Sequence, residues 1–258
     1  MSSLRYVYGI ARAGDAGRVA AAGLTGIDES PVGCVVVGAL LAAASDVDAS
    51  EYDETPLNDH VRDLDWLAAR AAQHQAVNGR LLELLGTVLP LSFGAIYRDD
   101  ERVRVMLRED TAERAALLAS LAGRAEWVVT VTRDRETPVD DDEVRALDAQ
   151  IAASPPGRAF LLDKQRGTTL SRSTERRDNE AAAAALAELE GIVERTYREP
   201  VAAGGTDTVA LRASVLVARE REAALVSAIG ELESRLGQGG YRVRASGPWP
   251  AYRFGGTS

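Results

Sequence analysis

Residues 209–217 read VALRASVLV, a run that predicts a β-strand. Its odd-numbered positions are Val, Leu, Ala, Val and Val, and they alternate with Ala, Arg, Ser and Leu. A helix follows, because Leu225, Ile229, Leu232 and Leu236 recur at the spacing of one helical face. The glycine-rich turn at residues 237–240 then leads into a second strand, Tyr241 to Ala245.

This β-α-β ending resembles half of a ferredoxin-like unit. Upstream, Glu126 to Thr132 alternates again, with Trp127, Val129 and Val131 on one face. We therefore predict an α+β protein of two small mixed domains. The N-terminal α+β domain covers residues 1–124, the ferredoxin-like C-terminal domain 125–246, and an extended tail 247–258.

The N-terminal half holds a predicted strand, Leu4 to Ile10, with one buried face. The clearest helix is predicted over Val61 to Leu85, because apolar residues there share a face. The apolar segment Val88 to Gly94 follows it. Pro90 makes this segment either an edge strand or a buried crossing loop.

The C-terminal half is harder to divide into elements. Ser154 and Pro155 suit the start of a helix, and Gly167 to Thr169 is a candidate break in that helix. A second helix is predicted from Glu175 to Tyr197, with Leu186, Leu189, Val193 and Tyr197 in register.

Charge and composition exclude several classes of protein. The 258-residue chain has a formal net charge of −9, which argues against nucleic acid and anionic membranes as partners. Cys34 is the lone cysteine, so no disulfide forms within the chain and a reducing, intracellular setting is expected. The N-terminus does not resemble a signal peptide. The longest apolar run, Val35 to Ala44, is shorter than the roughly 20 residues that a membrane span needs.

Motifs of catalysis or cofactor binding are missing from the sequence. It contains no phosphate loop, dinucleotide fingerprint, nucleophile elbow or paired cysteines. His60 and His74 would lie roughly 21 Å apart on one helix, too far to share a metal ion. The run Asp140 to Glu143 can be taken as a magnesium site, but an acidic helix N-terminus is favoured. We predict no catalytic, cofactor-binding or metal-binding residue, and no enzyme activity.

The segment GPWPAYRF, residues 247–254, combines two prolines with three aromatic side chains. Proline fixes φ, so the segment is predicted to be stiff and extended. Such a strip suits one of two roles. It is either a handle that docks a partner or a latch that folds back on the protein's own sheet.

Several segments together resemble the gas vesicle accessory proteins of the GvpF/GvpL type. They are YVYGI at 6–10, the helix with His74 and Val77 that leads to VLPLSFG at 88–94, EWVV at 126–129, GRAFLL at 157–162, and the tail. The chain departs from the family at Ser92, where a basic residue is expected, and at Ala251, where a second proline is common. The strand 211–217 also departs from it, and an F-like and an L-like identity both stay open.

The resemblance implies a cytoplasmic protein that acts at the gas vesicle without catalysis. It implies contact with the small hydrophobic principal shell protein and with other gas vesicle accessory proteins, and no cofactor, nucleic acid or membrane partner. The candidate docking or latch residues are Pro90, Phe93, Trp249, Tyr252 and Phe254. The alternatives are a ferredoxin-like regulatory ligand-binding protein and an enzyme of unrecognised type.

Overall fold

The computed structural model describes residues 3–137, 141–201 and 208–255. The chain forms two compact units. The first comprises Met1–Glu126 together with Gly247–Ser258, and the second comprises Trp127–Ser246. The C-terminal segment, predicted as a separate tail, therefore groups with the N-terminal unit.

Nine strands are present in the described part of the chain: β1 (Ser3–Arg12), β2 (Gly33–Val37), β3 (Leu40–Asp48), β4 (Leu89–Pro90), β5 (Ile96–Tyr97), β6 (Arg124–Arg133), β7 (Arg195–Arg198), β8 (Thr208–Ala218) and β9 (Tyr241–Trp249). One sheet has the order β2-β3-β1-β4, with β5 also paired to β1. The other has the order β7-β8-β6-β9.

The described residues also form ten α-helices: α1 (Ala16–Ala21), α2 (Ala49–Tyr52), α3 (Glu54–His60), α4 (Leu64–Leu85), α5 (Asp100–Arg108), α6 (Thr111–Ser120), α7 (Asp142–Ala152), α8 (Pro156–Leu189), α9 (Glu222–Gly237) and α10 (Tyr252–Gly255). Helices beside antiparallel pairings confirm the predicted α+β class.

Strand β1 is the centre of the first sheet, because β3 lies on one side of it and β4 and β5 lie on the other. The sequence predicts one buried face, but Tyr6 through Ala11 are all buried. That prediction is wrong, because the strand is covered on both faces. An alternating pattern of side chains indicates burial of one face and does not reveal that the other face is also covered. The pairing with β3 shifts register between Val7 and Gly9.

Helix α4 begins three residues later than the periodicity predicts. Asp63 accepts hydrogen bonds from the backbone N–H groups of Asp65 and Trp66, which fixes the start at Leu64. The helix ends at Gly86, whose φ of 76° is a left-handed conformation that favours glycine. His60 ends the separate helix α3, so the two histidines lie on different helices.

The second unit has the element order β-α-α-β-β-α-β, with its helical hairpin α7–α8 in the place of one helix. The ferredoxin-like assignment stays a prediction, which this order favours. The core between helices and sheet contains Val129, Val131, Leu189, Leu211, Val215, Leu225, Leu232, Tyr241 and Val243. The predicted strands 126–132, 209–217 and 241–245 are confirmed as parts of β6, β8 and β9.

Two predictions for the long helices are wrong. The candidate break at Gly167 lies inside α8, which is continuous from Pro156 to Leu189, because Thr169 and Ser173 are buried along its length. The helix predicted to reach Tyr197 ends at Leu189. Residues 195–198 instead pair with β8, with Tyr197 opposite Ser214, so sheet pairing overrides the helical spacing.

The acidic run at the start of α7 serves that helix. Asp141 accepts hydrogen bonds from the backbone N–H groups of Glu143 and Val144, as the favoured interpretation predicts. Its other carboxylate oxygen accepts from Ser173 and Arg176 of α8. Asp140, part of the alternative magnesium interpretation, lies outside the described residues.

The close packing around Gly9 is predicted to exclude any side chain at this position. A Cβ at this position would lie 2.9 Å from Asn78 Oδ1 and 2.9 Å from the Leu89 carbonyl oxygen. Gly9→Ala is therefore expected to lower the free energy of unfolding by about 2 kcal/mol or more. Gly79→Ala is the control, because nothing lies within 4 Å of a Cβ there. It should gain roughly 0.5–1 kcal/mol in urea denaturation, and equal effects of the two variants would contradict the prediction.

Candidate functional site

The C-terminal segment is extended through Trp249, the last residue of β9, and then changes direction. Pro250 and Ala251 are buried, and Tyr252–Gly255 form one helical turn, α10. The prediction of an extended tail thus holds to Trp249, and a turn of helix follows it. The turn places Phe254 inward, with 8% of its surface exposed.

The helical turn α10 packs against β4 of the same unit. A Cβ on Gly255 would lie 2.7 Å from Leu121 Cδ1 and 3.2 Å from Leu89 Cδ2. A contact this close leaves no room for a side chain at Gly255. The segment therefore lies tightly on the first unit at Leu89, the residue that pairs with Ile10 of β1.

Two polar groups anchor the same segment. The Arg253 backbone N–H donates to Glu126 Oε2 at 2.8 Å, and Glu126 is 4% exposed. Because a buried carboxylate is costly unless it accepts hydrogen bonds, this contact fixes α10 in place. The Tyr252 hydroxyl is buried beside the Asn78 side chain without full hydrogen-bond geometry, and burial raises the pKa of Tyr252 to about 12.

Phe93 lies in an aromatic cluster of the first unit. Its ring centroid is 6.1 Å from that of Tyr6 and 5.9 Å from that of His74, both in edge-on arrangements. The next residue, Gly94, donates its N–H to the Tyr6 hydroxyl at 3.0 Å. Phe93 is thus partly buried and packs against the unit's own core.

His74 connects this cluster to helix α4. Asn78 Nδ2 donates to His74 Nε2 at 3.1 Å and to the Tyr8 carbonyl oxygen at 3.1 Å. An amide nitrogen only donates, so the imidazole carries its proton on Nδ1, which lies 3.0 Å from the Tyr6 hydroxyl. Burial lowers the pKa of His74 to about 4, so the ring is neutral at neutral pH.

The five candidate residues thus occupy three places in the first unit. Pro90 and Phe254 are buried and belong to the neighbouring elements β4 and α10, and Tyr252 is partly buried beside Asn78. Phe93 lies in the aromatic cluster, and Trp249 is partly buried at the end of β9.

Sequence reasoning missed the polar anchors Asn78 and Glu126. Asn78 lies among apolar residues on the buried face of α4, and Glu126 opens an alternating strand. A polar residue at a position where the periodicity predicts a buried apolar side chain is the signal that could have identified Asn78 and Glu126.

Within residues 3–137, 141–201 and 208–255, no three His, Cys, Asp or Glu side chains come close enough to hold a metal ion. None of the helices in that part of the chain combines the length and apolar character needed to cross a membrane. What the structure shows at this site is the packing of α10 against β4.

The buried neutral histidine predicts a loss of stability in mild acid. The unfolded chain takes up a proton near pH 6.5, whereas folded His74 takes one up only near pH 4. His74 therefore contributes full stability above pH 6.5 and loses it as the pH falls toward 4. Between pH 7 and pH 5 the loss should be about 2 kcal/mol in urea unfolding. His74→Gln should remove this part of the pH dependence and His60→Gln should keep it, while an unchanged slope in His74→Gln would contradict the assignment.

The buried end of the chain is expected to contribute strongly to stability. Phe254→Ala should lower the free energy of unfolding by about 3 kcal/mol, because it empties a packed site beside β4. Phe160→Ala is the matched control, since that side chain is 72% exposed, and its effect should stay within about 0.5 kcal/mol. Thermal denaturation followed by circular dichroism checks both. A Phe254→Ala protein as stable as the control would show that the contact is dispensable.

Comparison with known proteins gives one consistent match. The family described as "Gas vesicle synthesis protein GvpL/GvpF" matches residues 4–255. Gas vesicle protein L of Streptomyces sp. (strain CB03234) is 32% identical over 99% of this chain and 94% of its own length. Gas vesicle protein F of the same strain is 30% identical, covering 96% and 98%.

A solved structure shares the fold. The crystal structure of the gas vesicle protein GvpF from Anabaena sp. PCC7120 aligns with a TM-score of 0.76 at 17% identity, covering 100% of both chains. The sequence match extends from β1 to α10 and so includes both units and the C-terminal segment. The chain belongs to the GvpL/GvpF family of gas vesicle synthesis proteins.

Proposed function

We propose that this protein is a non-enzymatic assembly factor or minor structural component of gas vesicles, and that it contacts the small hydrophobic shell protein while the vesicle forms. The family match over residues 4–255 supports this role. The relatives carry the names gas vesicle protein L and gas vesicle protein F. The protein acts by contact with other polypeptides, in the cytoplasm and at the vesicle.

A physical argument supports a contact of this kind. A subunit that buries apolar surface against its own copies is prone to aggregate before it is assembled. An accessory protein with a net charge of −9 resists joining such an aggregate, because its copies repel one another. It can therefore hold shell subunits or seed their polymerisation without precipitating with them.

The second unit offers an exposed apolar position for this contact. Phe160 and Leu161 are adjacent in the second turn of α8, and they are 72% and 66% exposed. An apolar partner that packs on this turn of the helix removes both side chains from water, which favours the contact. We place the shell-protein contact at this pair.

The five aromatic and proline candidates have a different role in this proposal. Pro90, Tyr252 and Phe254 lie where the C-terminal segment packs on the first unit, and Phe93 packs in the aromatic cluster of the same unit. Trp249 leads into that segment at the end of β9. We propose that the five act as a latch for the chain's own end rather than as a handle for a partner.

Gene deletion followed by complementation tests the proposed function. Cells that lack the gene should form few or no gas vesicles in electron microscopy, and the wild-type gene should restore them. Phe160→Ser/Leu161→Ser should restore them poorly and should co-purify less shell protein. This double variant should fold normally, because both side chains are exposed.

Arg158→Ser/Lys164→Ser is the control, because it changes two other side chains in the same part of α8. It should complement like the wild type. Normal vesicles in the deletion strain would refute the role in vesicle formation. Normal vesicles and normal co-purification with the Phe160/Leu161 variant would refute only the contact site.

A further inference from the structure

One end of the second sheet carries arginines on the face opposite its helices. Tyr241 and Val243 of β9 pack in the core, so strand alternation places Arg242 and Arg244 on the other face. The same argument applies to Arg212 of β8, which lies between the core residues Leu211 and Ala213. All three arginines are exposed.

The three guanidinium groups have no partner within the part of the chain that the structure describes. The side chains of Arg212, Arg242 and Arg244 make no hydrogen bond or ion pair there. Arg133, at the end of the neighbouring strand β6, shows the contrast. It pairs with Asp178 at 3.0 Å, and Asp178 also accepts from the Tyr241 hydroxyl at 2.8 Å.

Two of these arginines, Arg242 and Arg244, border a cavity of about 720 Å³ at the end of β6. Arg242 and Arg244 line it together with Thr132 and Thr208. Arg133 at the end of β6 and residues 134–136 of the following loop add two arginines and two carboxylates. Positive charge thus exceeds negative charge here, in a chain whose net charge is −9. The cavity is far larger than a single inorganic anion needs.

We propose that this end of the second sheet, defined by Arg212, Arg242, Arg244 and Thr132, binds an extended acidic segment of a partner protein. Arg242 and Arg244 are two residues apart on one strand, so their Cα atoms are separated by about 7 Å. Alternate side chains of an extended peptide repeat at the same distance. Carboxylates at every second position would therefore meet both arginines, and guanidinium groups bind carboxylates with paired hydrogen bonds.

Arg212 extends the surface across the sheet. It lies on β8, two strands away from β9, which corresponds to about 10 Å. A third carboxylate or the C-terminal carboxylate of the segment would reach it. Nucleic acid fits less well, because single strands bind through aromatic stacking platforms, and the described residues that line the cavity include no aromatic side chain.

A direct binding measurement tests this inference independently of the gas vesicle role. The probe is a fluorescent peptide of five Glu-Ser repeats, titrated with the full-length protein in anisotropy experiments at low salt. Arg242→Glu/Arg244→Glu should weaken binding about tenfold or more, because it replaces two attractive contacts with repulsion. Arg242→Gln/Arg244→Gln should give an intermediate loss, and added salt should weaken wild-type binding.

The matched control is Arg158→Glu/Arg172→Glu, which changes the net charge equally at exposed positions of α8. It should bind the peptide within about twofold of wild type once salt screens distant charges. An equal loss of peptide affinity in Arg242→Glu/Arg244→Glu and in this control would show that only net charge matters, and it would refute the proposed site. Tighter binding of a ten-nucleotide oligothymidine than of the peptide, or no peptide binding by the wild type, would also overturn it.

Discussion

The first unit depends on one constraint, a central strand with no solvent-exposed face. β1 is buried from Tyr6 through Ala11 and has neighbours on both sides, so each of its polar groups needs a partner inside the protein. Asn78 supplies one by donating to the Tyr8 carbonyl oxygen where the pairing with β3 shifts register. Helix α4 can approach this closely only because residue 9 is glycine. The position of α4 against β1 therefore depends on the Tyr8 carbonyl oxygen, which accepts the hydrogen bond from Asn78, and on the absence of a side chain at Gly9.

The buried tyrosines extend the same requirement to the loops. The Tyr8 hydroxyl lies 2.7 Å from Ser45 Oγ and accepts from the Ile27 backbone N–H at 2.7 Å. The Tyr6 hydroxyl accepts from Gly94. Both side chains are fully buried, so a hydroxyl without partners would cost more than its hydrogen bond gains. These hydrogen bonds fix the backbone at Ile27 and at Gly94 against strand β1. Gly94 follows β4, the strand against which α10 packs.

Sequence periodicity located β8, α9 and β9 closely. In α9 and β9 the apolar side chains recur at the spacing of one face, whereas residues 213–218 of β8 are all buried and the strand is marked by its apolar run. Periodicity misjudged the number of buried faces of β1, and it failed where sheet pairing decides, as at Tyr197. Of the site, the sequence indicated Phe254 and Pro90 by residue type. The roles of Asn78 and Glu126 were not predicted, because their hydrogen-bond partners lie 70 and 127 residues away in the sequence.

The arginine surface shows why net charge is a poor guide to a local partner. A total of −9 describes the field at a distance, where all charges add, and it disfavours indiscriminate binding to polyanions. At contact range, salt limits each charge to neighbours within about 8–10 Å. Arg212 and Arg244 are separated by 32 residues in sequence and come onto one sheet face only through the order β8-β6-β9. An acidic protein can therefore carry a site for an acidic segment, and only the strand order reveals it.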